Sequence, residues 1–387
     1  MVRGEGIYGR DFSKRYRRDI VPARLGSGKA QRDLGMMYLR GYGTHADYET
    51  AYHWLSKALD RDTDGCLGMH ALAGLLSNHL RASEAHNEAM KGTFEDDPFS
   101  YYTVGRIREM FRRRKETRYD AVLYYQAAMD KGVAEAYGSL ANMYLDDPEL
   151  CSDMDVVEDI LEHGVRMGDP QSMCLLAKTL NNGLFGHYDH PRAERLLKKA
   201  SDMVYPGADI RLAERYVLDG RYDDAVIAYE RAYARGNTAA MKRLGILYLN
   251  GTISDPDHSG ALRCFRRSLD DGDTEAPYYL GRMYYGGIGV EKDPSTALKY
   301  FLMGSEHDEN NSMKMLSVCL EKGQGCIRSS AASEDMLIRT GRNGDVESMG
   351  ILWKRKVSDA LPDEKGLKDW FRRNYDRNPF RFDDEDE

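Results

Sequence analysis

The sequence predicts an all-α chain, a right-handed α-solenoid of about nine helix-turn-helix repeats of 32–36 residues, and three observations carry that reading. A motif that is clearest from Leu280 to Val290 recurs in degraded form, with copies ending at Asp62, Asp96, Gly132, Gly168, Val204, Gly236, Gly272, Asp308 and Gly344. The intervals are 34, 36, 36, 36, 32, 36, 36 and 36 residues, and a fixed period of this length means stacked supersecondary units. Within each copy the apolar residues recur at helical spacing, in two stripes separated by a glycine-rich or polar turn.

The clearest copy spans Asp273 to Asp308. Ala276, Leu280 and Tyr284 recur at intervals of four and form one stripe of a first helix, with Gly281 beside Leu280 leaving room for a neighbouring helix. Gly286-Gly287-Ile288-Gly289-Val290 then ends that helix, because glycine supplies the positive φ that a C-cap needs. Asp293 and Pro294 start the second helix as N-cap and first helical residue, and Ala297, Tyr300 and Gly304 are expected to form its inward stripe.

The remaining copies follow in order. The first has Leu34-Gly35, Tyr38, Gly41, Gly43, Ala51, Trp54 and Ala58, and the third Val104-Gly105, Ala121, Tyr124 and Ala128. The second rests mainly on phase. The fourth rests on Leu140-Ala141 and Tyr144, and the fifth places His187-Tyr188-Asp189-His190 in its inter-helix turn. The sixth carries Leu212-Ala213, Tyr216, Ala225, Ala228 and Ala232, and is four residues shorter, with Asp219-Gly220-Arg221-Tyr222 as a tight turn. Leu244-Gly245, Tyr248, Gly251, Ala261 and Ser268 mark the seventh, and Leu316, Leu320, Gly323, Gly325 and Thr340 the ninth. The expected organisation is a basic arm or cap over residues 1–29, a repeat solenoid over 30–344, capping helices over 345–380 and an acidic tail over 381–387.

This pattern, A-x-x-x-L-G-x-x-Y-x-x-G-x-G-V-x-x-D followed by A-x-x-W/Y/F-x-x-x-A and a closing glycine, resembles the Sel-one-like repeat, a relative of the tetratricopeptide repeat. The eighth copy matches almost every position, the first and seventh match well, and the likeness runs over roughly residues 30–344. The resemblance implies a scaffold with roles in signalling, complex assembly or host–microbe contacts. Some secreted relatives staple each helix pair with cysteines at a constant repeat position; this chain departs from that, since Cys66, Cys151, Cys174, Cys264, Cys319 and Cys326 keep no common place.

Composition narrows the function classes. The formal net charge of -8 argues against a generic nucleic-acid binder, which needs a concentrated basic face. There is no apolar run of about 18 residues for a membrane span, and the basic N-terminal stretch has no apolar core after it, so a cytoplasmic, reduced protein is expected. His187 and His190 lack partners at metal-ligand spacing, Cys319 and Cys326 read as separate thiols, and Arg112-Arg113-Arg114-Lys115 reads as a solvated turn. The glycine turn at 286–289 lacks the preceding strand and the Lys-Ser/Thr of a phosphate loop. No catalytic constellation, cofactor motif or metal site is expected.

If first helices line a concave groove, the residues there that do not belong to the packing pattern are the candidate partner contacts. They are Tyr102, Arg106, Asn142, Lys178, Glu214, Lys242, Glu275, Tyr278, Arg282, Tyr285 and Lys314, with Lys and Arg suggesting a groove more basic than the whole. The function expected is a non-enzymatic scaffold or adaptor holding a partner protein or peptide. The alternatives are a small-ligand receptor or hydrolase-like enzyme on the same solenoid, or nucleic-acid binding through the basic arm.

Overall fold

The protein is described by a computed structural model covering residues 19–41, 46–61, 65–110, 115–205, 207–252, 256–358 and 360–375. Its chain divides into two compact units, Met1–Asn237 and Thr238–Glu387. The described residues of both are helices joined by turns, with no strand among them. The chain is an all-α helical-repeat solenoid.

In the first unit a helical segment at 19–24 precedes six hairpins. These are α1 (Gly28–Arg40) with α2 (Tyr48–Leu59), α3 (Leu67–Leu76) with α4 (Ala82–Phe94), and α5 (Pro98–Met110) with α6 (Lys115–Asp130). Next come α7 (Ala134–Asp146) with α8 (Met154–Met167), α9 (Pro170–Asn182) with α10 (His190–Asp202), and α11 (Ala208–Leu218) with α12 (Tyr222–Ala234). The second unit has α13 (Ala239–Leu249) with α14 (His258–Asp270), α15 (Ala276–Gly286) with α16 (Pro294–Glu306), α17 (Asn310–Lys322) with α18 (Ser330–Arg342), and a closing pair α19 (Val346–Lys356) and α20 (Glu364–Tyr375).

The residues that mark the period have a physical role. Asp96, Gly132, Gly168, Val204, Gly236, Gly272, Asp308 and Gly344 all adopt left-handed φ, between 55° and 90°. Each ends a second helix and redirects the chain into the next first helix, the conformation a helix C-terminus commonly takes. Asp62, the first marker, lies outside the described residues. Second helices start on side-chain caps: Asp47 accepts from Thr50 N at 2.9 Å, Asp189 from Arg192 N at 2.9 Å, Asp257 from Gly260 N at 2.8 Å, and Asp293 from Ser295 N and Thr296 N. Each such cap stabilises its helix by about 1 kcal/mol.

Packing within a hairpin repeats with the period, but one residue away from the expected stripe. A Cβ built on Gly35, Gly105, Gly245 or Gly281 would lie 2.6 Å from Leu55, 2.8 Å from Tyr125, 2.8 Å from Phe265 and 2.5 Å from Phe301, each partner 20 residues on. Leu55, Tyr125, Phe265 and Phe301 are fully buried, whereas Trp54, Tyr124 and Tyr300, the expected inward residues, are half-buried. The consensus aromatic therefore lies on the flank of the second helix, and the residue after it enters the glycine notch. Between hairpins, a second notch pairs Gly92 with Ser100, Gly164 with Ser172, and Gly304 with Ser312, eight residues apart.

The ends are closed by the same chemistry. Ile20 and Ala23 pack on Leu34 and Met37, and Gln31 Nε2 donates to the Ala23 carbonyl at 3.0 Å. At the other end Leu367 and Phe371 of α20 cover Leu337, Met349 and Leu352. Residues 1–18 of the expected basic arm, the acidic tail at 381–387 and Arg112–Arg114 lie outside the described residues.

Candidate functional site

The first helices of the first unit form one side of a cavity of about 270 Å³. Its apolar wall comes from Leu39, Leu72, Leu76, Phe99 and Pro170, and its polar wall from Arg40, Arg106, Glu135, Asp169 and Gln171, with the rings of Tyr48, Tyr102 and Tyr205 between them. Two predicted contact residues, Tyr102 and Arg106, are thus brought together one helical turn apart on α5. Tyr102 is less available than expected: it is 8% exposed and packs on Phe99 and Tyr125, with ring centroids 5.1 and 5.9 Å away. Burial pushes its hydroxyl up to about 12.

The charges in this cavity are largely matched. Arg40 pairs with Glu135 and lies over the Phe99 ring at 5.7 Å. Arg106 Nη1 donates to Glu109 Oε2 at 3.1 Å, the same oxygen that takes the Tyr125 hydroxyl at 2.6 Å. Asp169 caps α9, accepting from Ser172 N at 2.8 Å, Ser172 Oγ at 2.5 Å and Gln171 N at 3.2 Å. It is 2% exposed, and burial pushes its carboxyl up to about 6 despite those donors.

In the second unit the predicted residues meet each other rather than standing free. Lys242 Nζ lies 3.2 Å from both Asp273 and Glu275, and Lys314 Nζ lies 3.3 Å from Asp345 and 2.9 Å from Glu347. Burial works against the charge on both lysines, but their acidic partners outweigh it and hold them above the usual lysine value. Tyr278 and Tyr285 do not stand apart from the packing pattern as expected: they lean on the core of Ala297, Phe301, Leu316 and Cys319, because a phenol can bury its ring while keeping its hydroxyl at the edge. The Tyr285 hydroxyl reaches Gln324, and Arg282, exposed, lies over the Tyr278 ring at 5.6 Å.

Elsewhere Asn142 Nδ2 donates to Asp146 Oδ2 at 3.1 Å, Lys178 is exposed on α9, and Glu214 is half-buried on α11. Arg106, Lys242 and Lys314 each have a carboxylate beside them, since a Lys or Arg half-buried between helices is retained where an acid pairs with it, so these three add little to the positive charge expected of this face. His187 Nε2 sits 3.7 Å from Glu158, while His190 Nδ1 faces Asn181 at 3.2 Å and Arg215 at 3.1 Å, so the two imidazoles have separate surroundings. Cys319 is buried, its thiol pushed up to about 11 by burial, and Cys326 Sγ lies 3.7 Å from the Cys319 carbonyl.

One cluster escapes sequence reasoning altogether. Ser56 Oγ lies 3.0 Å from His70 Nε2, and His70 Nδ1 contacts Glu88, bringing together α2, α3 and α4. The order of groups is that of a hydrolytic triad. However, Ser56 donates its hydroxyl to the Tyr52 carbonyl at 2.8 Å, and the surrounding N–H groups belong to the interior of α2, where helical bonding uses them. Tyr52 is stacked between His70 at 4.5 Å and His79 at 4.6 Å, and His79 pairs with Glu49 at 2.8 Å. These groups act as a strut. The spacings involved, 14 and 18 residues, match no motif.

The Sel1 repeat model matches residues 28–62, 170–205, 238–273 and 274–309. Among solved structures, c5321, described as a protective antigen of uropathogenic Escherichia coli strains displaying an SLR fold, is 16% identical, with 93% of this chain and 90% of that one covered and a TM-score of 0.46. A Sel1 repeat protein from Oxalobacter formigenes is 20% identical over 65% of this chain and 95% of that one, with a TM-score of 0.43. The yeast Tom70 structure is 9% identical over 92% and 97%, with a TM-score of 0.39. No curated protein matches the chain in sequence.

Proposed function

The chain carries four Sel1 repeats, at residues 28–62, 170–205, 238–273 and 274–309, and from them we propose that it is a non-enzymatic scaffold whose first-helix faces hold a partner protein or peptide. The observation that carries this reading is the concentration of aromatic and arginine side chains at the cavity of Tyr102 and Arg106. Such residues supply most of the energy at protein interfaces. The exposed Arg282 and Lys178 extend the same type of face elsewhere on first helices. The cavity of about 270 Å³ is large enough to take one side chain of a partner. The carboxylates beside Arg40, Arg106, Lys242 and Lys314 weigh against a phosphate-tracking surface.

The test is photocrosslinking in the native cell. A benzoylphenylalanine replaces Lys178 or Arg282 in turn, with Leu123 and Ile227, exposed on second helices, as controls. Crosslinks to one defined protein from the first-helix positions support the reading. Equal yields from the second-helix controls, or none from either first-helix position, overturn it.

A further inference from the structure

We propose that the cavity between α1, α5, α7 and α9 receives a basic side chain, lysine or arginine, presented by a partner peptide. This rests on the scaffold reading above and names the chemistry of what its first unit holds. In the second unit Lys242, six residues after Gly236, reaches Asp273 and Glu275, one and three residues after Gly272. Lys314, six after Asp308, reaches Asp345 and Glu347, one and three after Gly344. The same register in the first unit puts Gly138 at the lysine position and Asp169 and Gln171 at the acceptor positions. A side chain on Gly138 would collide with the Asp169 carboxylate, so no lysine can be supplied from there.

Asp169 and Gln171 line the cavity, and among the described residues no lysine or arginine forms an ion pair with Asp169. The other groups facing it are Glu135 on α7, paired with Arg40 of α1; Arg106 on α5, paired with Glu109; and the phenols of Tyr102 and Tyr205. The two arginines that line the cavity are matched by two carboxylates; Arg211 of α11 lies behind them beside the Cys174 thiol and Tyr205 and forms no ion pair with Asp169 among the described residues, which leaves Asp169 as the unpaired carboxylate of the lining. Glu135 Oε2, buried, accepts no hydrogen bond among the described residues. An incoming anion would meet both carboxylates, whereas a cation would find them as acceptors, with the Tyr102 and Tyr205 side chains also in the lining. The positive end of the α9 dipole does not forbid it, since Lys242 occupies the same place at the start of α15.

Because burial holds the Asp169 carboxyl near 6, a bound cation must expel its proton at lower pH, and affinity rises as pH rises through that value. The experiment uses the full chain and blocked pentapeptides Ac-Ala-Ala-Xaa-Ala-Ala-amide, with Xaa arginine, lysine, norleucine or glutamate, titrated by calorimetry. Expected results are binding of the arginine and lysine peptides at pH 7.5, about tenfold weaker binding at pH 5, and loss of at least about tenfold in Asp169→Asn, whose amide keeps the cap. Gln171→Lys, which supplies the cation internally, also abolishes binding while helicity by circular dichroism is retained. Equal binding of the norleucine or glutamate peptide, unchanged affinity in folded Asp169→Asn, or no binding of either basic peptide at millimolar concentration overturns the proposal. If the basic peptides fail while crosslinks from Lys178 still identify a partner, the scaffold reading survives and this inference alone falls.

Discussion

Gly281 and Phe301 approach so closely that a methyl group on the glycine would lie 2.5 Å from the ring. The pair joins α15 to α16, and its counterparts at Gly35, Gly105 and Gly245 join three other hairpins in the same way. Replacing Gly281 by alanine gains about 1 kcal/mol of helix propensity but forces the Phe301 ring out of its notch, an overpacking cost of about 1–3 kcal/mol. The expected net effect is a lower urea midpoint for the second unit. Gly350 on α19 is the control, since the nearest atom to its Cβ is 3.6 Å away; Gly350→Ala should raise the midpoint. If the two variants shift stability in the same direction, the notch is not a constraint.

Val204 is the one β-branched residue among the period-ending positions, and it is held at φ 61°. A β-branched side chain pays about 1–2 kcal/mol there, a cost glycine avoids. Val204→Gly should therefore stabilise the first unit by about 1 kcal/mol, and Gly272→Val should destabilise the second by at least as much. Differential scanning calorimetry resolves the two transitions if the units melt separately, and a destabilised Val204→Gly would contradict the strain argument.

These positions also explain what could be read in advance. The period was legible because a left-handed turn accepts few residues, so Gly or Asp recurs at every one of these positions except Val204. The inward aromatic was misplaced by one residue because helical spacing defines a stripe about as wide as two adjacent residues, and only the glycine notch selects Phe301 over Tyr300. Candidate contact residues were legible as departures from the repeat, but their pairing was not. Lys242 and Glu275 lie 33 residues apart and meet because consecutive first helices are neighbours. Counting from the period-ending residue would have found that pair; it would not have found Ser56, His70 and Glu88, which have no counterpart in other copies.

The strut at His70 predicts a structural effect without a catalytic one. His70→Ala removes hydrogen bonds to Ser56 and Glu88 and one face of the Tyr52 stack, and should cost the first unit about 2–3 kcal/mol. His70→Phe retains a ring against Tyr52 and should lose less. Ser56→Ala should leave any turnover of nitrophenyl esters at the level of wild type. A serine-dependent burst of nitrophenol would show instead that the triad order is used.

The buried carboxyl of Asp169 makes the stability of the first unit depend on pH. Its value in the folded chain is about 6, above the 3.8 of an unperturbed aspartate, so between those values the folded state binds more protons than the unfolded state. Stability contributed by this group is therefore highest at low pH, declines as pH rises from about 4 to 6, and is level above that. A shift of this size corresponds to a few kcal/mol at most. Asp169→Asn keeps an acceptor for Ser172 and carries no charge, so it should match wild type near pH 4 and be more stable than wild type at pH 7.5. Urea melts of both proteins at the two pH values decide it: a variant destabilised equally at both would mean that Asp169 serves only as a helix cap, with its charge already compensated.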